Sequence, residues 1–309
     1  MIDIYKLGEN EGKGSIRAIM NSKLKKEINT CIKELKQYGF FVNFCKRTKT
    51  DYKTLWKYLN KHNYIPLYVL AELEKLSNAK FQKHIKYLEY GTGSSKRRTK
   101  VIKELNEELA AMVGAFIADG HLKERICLWN NRNATHYELV FREGYESNVI
   151  ALANWINNVF KIGVKPKKEK NHYSIYISNK IVFRYFNKIF GFKSGRKTET
   201  VSIPNILKTT NRKIKISLIK GILMFDGSVS RKKGYIDLLS KSSKLIVEVS
   251  EIIRRLSINP SHTATKPDNY GRYRFTIGRQ FEIKKSLIFF EEDTEKHIRL
   301  KKIMKTFKN

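Results

Sequence analysis

Two apolar runs that each close on Asp-Gly constrain this chain more than any other feature. The first is Met112-Val113-Gly114-Ala115-Phe116-Ile117-Ala118-Asp119-Gly120, the second Ile219-Lys220-Gly221-Ile222-Leu223-Met224-Phe225-Asp226-Gly227. In both, an inner glycine precedes the aspartate by 5 residues (119−114 and 226−221), and the copies lie 107 residues apart (226−119). Polar helix formers lead into each run, so each reads as the buried end of a helix stopped by glycine at the C′ position. The aspartates are out of place there, because the last turn is the negative end of the helix dipole and favours lysine or arginine. A single one is explained by an aspartate bonding its own backbone in a turn. Two in matched positions point to a shared purpose. If Gly114 and Gly221 let the helices pack closely, Asp119 and Asp226 come together. Two carboxylates beside two negative helix ends form an oxygen-ligand site suited to Mg²⁺. The competing reading is a pair of unrelated core helices with aspartate caps.

These stretches resemble the paired motifs of LAGLIDADG homing endonucleases in their single-chain, two-motif form. The inner glycine and the terminal Asp-Gly carry the resemblance. Several apolar letters depart from the family name, and Ala118 fits the penultimate position. The resemblance implies an α+β fold: two pseudo-symmetric αββαββα units, motif helices packed centrally, antiparallel sheets forming a DNA-binding saddle. It also implies that Asp119 and Asp226, with Gly120 and Gly227 at the motif ends, bind Mg²⁺ or Mn²⁺ at the scissile phosphates. The activity so implied is site-specific double-strand cleavage of DNA by a monomer, at a long asymmetric site.

Charge agrees with such a partner. Lys+Arg 62 against Asp+Glu 29 gives a net +33, an excess that suits a polyanion rather than a membrane face. A lysine-rich proteome is the bland alternative. Apolar residues make up 41% of the chain, enough for a core, and no run approaches a membrane span or a signal-peptide core. The 3 cysteines, Cys31, Cys45 and Cys127, have no pairing or metal-ligand spacing, as expected of a cytoplasmic, nucleoid-associated protein.

The first 90 residues read as an all-α domain. Leu24, Ile28, Ile32 and Leu35 recur at helical spacing from Ser22 to Gln37, and an apolar stretch follows at Phe40–Cys45. Asp51 is a good N-cap for a compact helix to Leu59, and Pro66 suits the first position of the next, Leu67 to Leu76. The run Thr54-Leu55-Trp56 through Leu73 resembles the helix-turn-helix of the Cro/C1 repressor type. On that resemblance Tyr52, Lys53 and Lys57 face DNA, while Leu55, Trp56 and Leu59 anchor the helix. Residues 91–102, glycine-rich and then basic, read as a linker. Two similar units follow, 103–210 and 211–309, each reading as motif helix, strands, helix, strands and helix.

Strands that alternate polar with apolar residues have one packed and one wet face. Arg125, Arg132, Arg142, Lys165, Lys167, Lys168 and His172 are expected on the wet face of the first sheet. Arg231, Lys232, Lys233, Lys266, Arg272 and Arg274 are expected on that of the second. For each, plain solvation is the equal alternative. Aligning the repeats singles out Lys197 and Lys296 as catalytic companions, 78 (197−119) and 70 (296−226) residues beyond their aspartates, with Arg142 and Lys241 in reserve. His121 lacks a second histidine at ligand spacing, and no phosphate-cradling loop or nucleophile setting is present. Splicing residues are absent from the ends, so a free-standing or intron-encoded enzyme is expected. The rival readings are a non-cleaving transcription regulator, or an RNA-splicing maturase taking structured RNA.

Overall fold

The computed structural model describes the chain apart from residues 10–15, 78, 92–95, 130–131, 231–233 and 308–309. Its contacts divide it into two compact units. One comprises Met1–Glu104, Phe160–Ile162 and Asn179–Ile189; the other comprises Leu105–Val159, Gly163–Ser178 and Phe190–Asn309. Both Asp-Gly runs therefore fall within a single compact unit.

In the first unit β1 (Arg17–Ile19) leads to α1 (Ser22–Gln37). Asn21 starts α1 by accepting from Leu24 N at 3.0 Å, and Leu24, Ile28, Ile32 and Leu35 are buried on one stripe. Next come α2 (Phe41–Thr48), closed by Lys49 in the left-handed region, and α3 (Tyr52–Lys57). Asp51 caps α3 as expected, accepting from Thr54 N at 2.6 Å, and the chain runs on through a π turn, Tyr58–His62. Then follow β2 (Tyr64–Pro66), α4 (Leu67–Leu76), β3 (Tyr87–Tyr90) and β4 (Arg97–Lys100).

The four strands form one antiparallel sheet in the order β2-β1-β3-β4, so this unit is mixed rather than all-α. Strands of three or four residues are too short to show a period of two, which is why helical spacing dominated the reading. The sheet changes other expectations as well. Pro66 ends β2 and caps α4 instead of filling its first helical position. A paired strand stands between α3 and α4 where a plain turn was expected, and Arg97–Lys100, within the expected linker, is a strand. Leu55 and Leu59 are buried anchors, but Trp56 is half exposed and anchors nothing.

The second unit opens with α5 (Glu107–Asp119), capped by Asn106 accepting from Leu109 N at 2.8 Å. A long hairpin follows, β5 (His121–Trp129) and β6 (Arg132–Glu143), then α6 (Glu146–Phe160), β7 (Lys167–Lys168) and β8 (Tyr173–Ile177). The short α7 (Lys180–Arg184) belongs to the first unit. There the buried Tyr185 hydroxyl accepts from Ile102 N at 2.8 Å and donates to Ile102 O at 3.1 Å. The chain re-enters the second unit through α8 (Asn205–Lys208), α9 (Arg212–Phe225), β9 (Ser228–Val229) and β10 (Ile236–Ser240). It finishes with α10 (Ser243–Arg255), β11 (His262–Thr263), β12 (Tyr273–Ile277), α11 (Gln280–Lys285) and α12 (Glu295–Met304). The two antiparallel sheets share one strand order, β5-β6-β8-β7 and β9-β10-β12-β11. No helix among the described residues is long and apolar enough to cross a membrane.

Candidate active site and nucleic-acid interface

The site begins with two glycines that face each other. A Cβ on Gly114 would overlap Leu218 O and stand 2.9 Å from Ile222 N and 3.0 Å from Gly221 Cα. A Cβ on Gly221 would overlap Ala111 O and stand 2.7 Å from Ala115 N. Helices α5 and α9 thus pack backbone against backbone, which only residues without side chains allow. The apolar residues around the glycines, from Met112 to Ile117 and from Leu218 to Phe225, are buried. Packing at this point fixes where both helices end.

The terminal glycines act differently from what the sequence suggested. Gly120 has φ −72 and ψ 150, an extended conformation rather than a left-handed one. A Cβ there would lie 2.7 Å from Cγ of Phe116, and one on Gly227 would lie 2.9 Å from Leu223 Cα. Each glycine is needed because the chain turns tightly across the last helical turn, not for a positive φ. Asp119 is the last residue of α5 and Asp226 the C-cap of α9, with Asp226 N donating to Ile222 O at 3.0 Å.

Lys197 and Lys296 close these helix ends. The Lys197 ammonium donates to Phe116 O, to Ile117 O at 2.7 Å and to Ala118 O at 3.0 Å. The Lys296 ammonium donates to Leu223 O at 3.4 Å, Met224 O at 2.6 Å and Phe225 O at 3.3 Å. In both cases the acceptors stand three, two and one residues before the aspartate. Phe116 O and Leu223 O also accept from Gly120 N at 3.1 Å and Gly227 N at 3.0 Å; the later carbonyls lie past the last helical donor, and a cation there also offsets the negative end of the dipole. Lys197 sits on a loop pinned to β5, where the Ser194 hydroxyl donates to Leu122 O at 3.1 Å and accepts from Glu124 N at 3.1 Å. Lys296 comes instead from α12 and is 5% exposed.

Both aspartates are exposed to solvent, although protein atoms crowd around their carboxyl groups. Partial burial is the first cause raising the Asp119 carboxyl to about 7; the charges of Asp226 and Glu143 add to it, and Lys197 and Lys296 oppose it. Burial also raises Asp226, against the two lysines. Burial depresses Lys197 to about 8, with Asp226 and Asp119 holding it up. Lys296 is pushed down by burial as well, and Glu143 is the first group to oppose that shift.

Glu143 was not foreseen from the sequence. It ends β6, is 8% exposed, and its Oε1 accepts from Gly144 N at 2.8 Å and Tyr145 N at 3.2 Å. Its Oε2 has no hydrogen-bond partner among the described residues. A lone glutamate in a run holding two others carries no periodic signal, so sequence reasoning had no means to select it.

Among the described residues no group of three or more His, Cys, Asp or Glu is placed to hold a metal. The protein offers two carboxylates, whose mutual repulsion a cation would relieve. Mg²⁺ is commonly held by one or two carboxylates, its other positions filled by water and phosphate oxygen. The donor set fits such an ion.

A cleft of about 700 Å³ opens over the helix ends, lined by Asp119, Asp226, Lys197, His121, Arg142, Lys241 and Arg272 among others. Strand register sorts the expected DNA contacts around it. The pairs His121↔Val140, Lys123↔Glu138, Arg125↔His136, Arg142↔Ser174 and Lys167↔Ser174 put Arg125, Arg142 and Lys167 on one face with His121. In the second sheet Leu239↔Arg274 puts Arg274, and by alternation Arg272, on the face of the cleft-lining Leu239. Lys168 falls on the opposite face of its sheet. Lys266 is exposed and outside any strand. Arg125 stands 3.7 Å from Glu138, and Arg272 is bonded to Asp268 at 2.9 Å, so both are partly neutralised. Arg231, Lys232 and Lys233 lie outside the described residues, as does the side chain of Arg132. Tyr52, Lys53 and Lys57 are exposed on α3.

What fold and site define together is a helix pair that presents two acids, each beside a lysine-capped helix end, at the floor of a basic cleft. No family model matches the chain. It is similar to a component of the A-type ATP synthase of Pyrococcus abyssi, 26% identical over 164 residues, covering 52% of this chain and 15% of that protein. It is also similar to a probable translation initiation factor IF-2 of Methanocaldococcus jannaschii, 26% identical over 225 residues, covering 70% of this chain and 16% of that protein. The chain thus spans only 15–16% of the length of these relatives. Among solved structures it resembles mesophilic variants of the homing endonuclease I-DmoI (TM-score 0.46, 20% identity, 60% of this chain and 96% of that one). I-DmoI in complex with DNA and Mn gives TM-score 0.44 and 20% identity over 58% of this chain and 93% of that one. The N-terminal LAGLIDADG domain of DUF199/WhiA gives 0.38 and 11% over 68% and 86%. At these scores none of the likenesses bears on what this chain does.

Proposed function

We propose that this protein is a site-specific, metal-dependent DNA endonuclease, a phosphodiester hydrolase on a duplicated αββαββα scaffold of LAGLIDADG kind. The observation that carries the reading is the matched pair of helix ends, each with an aspartate open to the cleft and a lysine on the three preceding carbonyls. A protein that only bound DNA would gain nothing from two carboxylates facing phosphates, where each repels the ligand.

Asp119 and Asp226 would hold Mg²⁺ or Mn²⁺, which when bound would supply an activated water and charge stabilisation at the scissile phosphate. The two acids hold and orient that centre. Lys197, open to the cleft and depressed to about 8, is the group able to exchange a proton near neutral pH. Lys296 lies too deep for that and keeps the α9 end and Asp226 in place. Arg142, Lys241 and Arg272 meet phosphates across the cleft. The protein works as a monomer at the nucleoid.

A second reading keeps the binding and drops the cleavage, as in a transcription regulator or a splicing maturase. It is favoured by the capping bonds, which account for both lysines without chemistry. Incubating a randomised duplex library with protein and Mg²⁺, beside Asp119→Asn, separates the readings. A metal-dependent cut at one recurring sequence, absent in the variant, is expected, and Asp119→Asn should bind DNA as tightly or more so. Duplex retained without any cut would establish the regulator, and retention of structured RNA the maturase.

A further inference from the structure

Five of the fifteen exposed large apolar side chains among the described residues fall between Tyr38 and Trp56: Tyr38, Phe40, Val42, Tyr52 and Trp56, each at least half exposed. They are not scattered. Lys36, from the last turn of α1, reaches the Phe41 ring of α2 at 5.3 Å and the Tyr52 ring of α3 at 3.9 Å, and those two rings stand edge to face at 6.1 Å. A lysine of α1 and rings of α2 and α3 thus meet at one spot. Tyr52 and Trp56, four residues apart on α3, share a face there. Trp56 has no ring or cation contact among the described residues, so its indole is open to a ligand.

The charge around these rings names the ligand's sign. Between Lys36 and Lys57 the chain carries Lys36, Lys46, Arg47, Lys49, Lys53 and Lys57 against one acid, Asp51, which is spent on the α3 cap. We infer that this surface binds single-stranded DNA, with bases stacking on Trp56 and Tyr52 and phosphates meeting Lys49, Lys53 and Lys57. Double-stranded DNA presents phosphates and groove edges, with its base faces already stacked, so half-exposed rings gain little from it. Unpaired bases offer a flat apolar face to each ring, and stacking beside a basic groove is how strands are held without sequence preference. The choice of DNA over RNA rests on the endonuclease reading of the second unit; the choice of an unpaired strand does not.

The test is fluorescence anisotropy on the full chain with a labelled oligo-dT strand, the same length of oligo-rU, and a blunt duplex. Trp56→Ala should weaken oligo-dT binding about tenfold. Trp56→Phe, which keeps a ring, should recover most of that loss, and the duplex should change less than twofold. Unchanged thermal melting of each variant separates this from misfolding. An equal loss on duplex would overturn the inference in favour of groove contact by α3. A preference for oligo-rU would overturn the choice of DNA. No loss on any strand would leave the rings to another partner class, such as an anionic vesicle, and would refute nucleic-acid binding here. None of these outcomes depends on whether the second unit cleaves.

Discussion

Lys197 and Lys296 donate to the same three carbonyls relative to their aspartates, yet they arrive by different routes and stand in different surroundings. Lys197 comes from a loop, lines the cleft, and has its ammonium 4.7 Å from the Phe116 ring. Lys296 comes from a helix, is buried, and shares Met224 O with the side-chain amide of Asn148, which donates at 2.8 Å. Only the lysine of the second half is acted on by a buried glutamate, Glu143, which the first half supplies. What the halves hold in common is therefore the end of the motif helix and not the element that closes it. The difference teaches that capping a helix end and exchanging protons can be divided between two copies of one arrangement.

The largest expected effect falls on the shared part. Gly114→Ala or Gly221→Ala should each cost about 3 kcal/mol, because a new methyl meets backbone on the facing helix. Denaturant melts would show it, and an unchanged midpoint for either would mean the helices do not touch at the glycines. Next, the halves should part. Lys296→Met leaves Phe225 O without its donor and removes one of two donors from Leu223 O and Met224 O, and should lose about 1–3 kcal/mol. Lys197→Met should lose clearly less, since Lys197 is only half-buried whereas Lys296 is buried, and should instead shift the pH profile of cleavage. Equal losses in stability would erase the distinction drawn above.

The pH dependence of stability gives a smaller effect with a definite sign. Asp119 takes up its proton near 7 when folded against 3.8 otherwise, so the folded state binds more protons across that interval. Metal-free protein should lose stability as pH rises from about 4 to about 7 and then level off, and Asp119→Asn should flatten the curve. Stability that climbs over the same range would contradict the raised carboxyl. Smallest is the comparison of sheet faces: Arg274→Ala should lower the salt-dependence slope of DNA binding by about 1, while Lys168→Ala, on the opposite face of its sheet, should leave it unaltered. The reverse result would put DNA on the other face.

The motif helices, their glycine contact and the meeting of the aspartates were legible, because a repeated apolar run with one odd residue is a strong periodic signal. Lys197 and Lys296 were legible only through the repeat, as similar offsets beyond two matched acids. The role of Gly120 and Gly227 was not, since glycine at a helix end suits both a left-handed turn and a tight approach, and only coordinates tell them apart. The sheet of the first unit was hidden by strand length. Trp56 reads inward because tryptophan beside Leu55 suits a core, whereas on α3 only Leu55 is buried and Trp56, about 100° further round, is half exposed. Glu143 depends on where β6 ends, which no local pattern fixes.

The first unit is not a continuous stretch of chain. It takes in Asn179–Ile189, where Tyr185 and Phe186 are fully buried and the Asn179 amide donates to Thr99 Oγ1 at 3.0 Å. During synthesis, then, the first hundred residues leave the ribosome without the side chains that finish their own core. They must wait, exposed, until some eighty more residues have followed. A fragment cut at Glu104 would carry a hole where two aromatic rings belong, and the protein cannot be divided for study at the boundary that its sequence advertises.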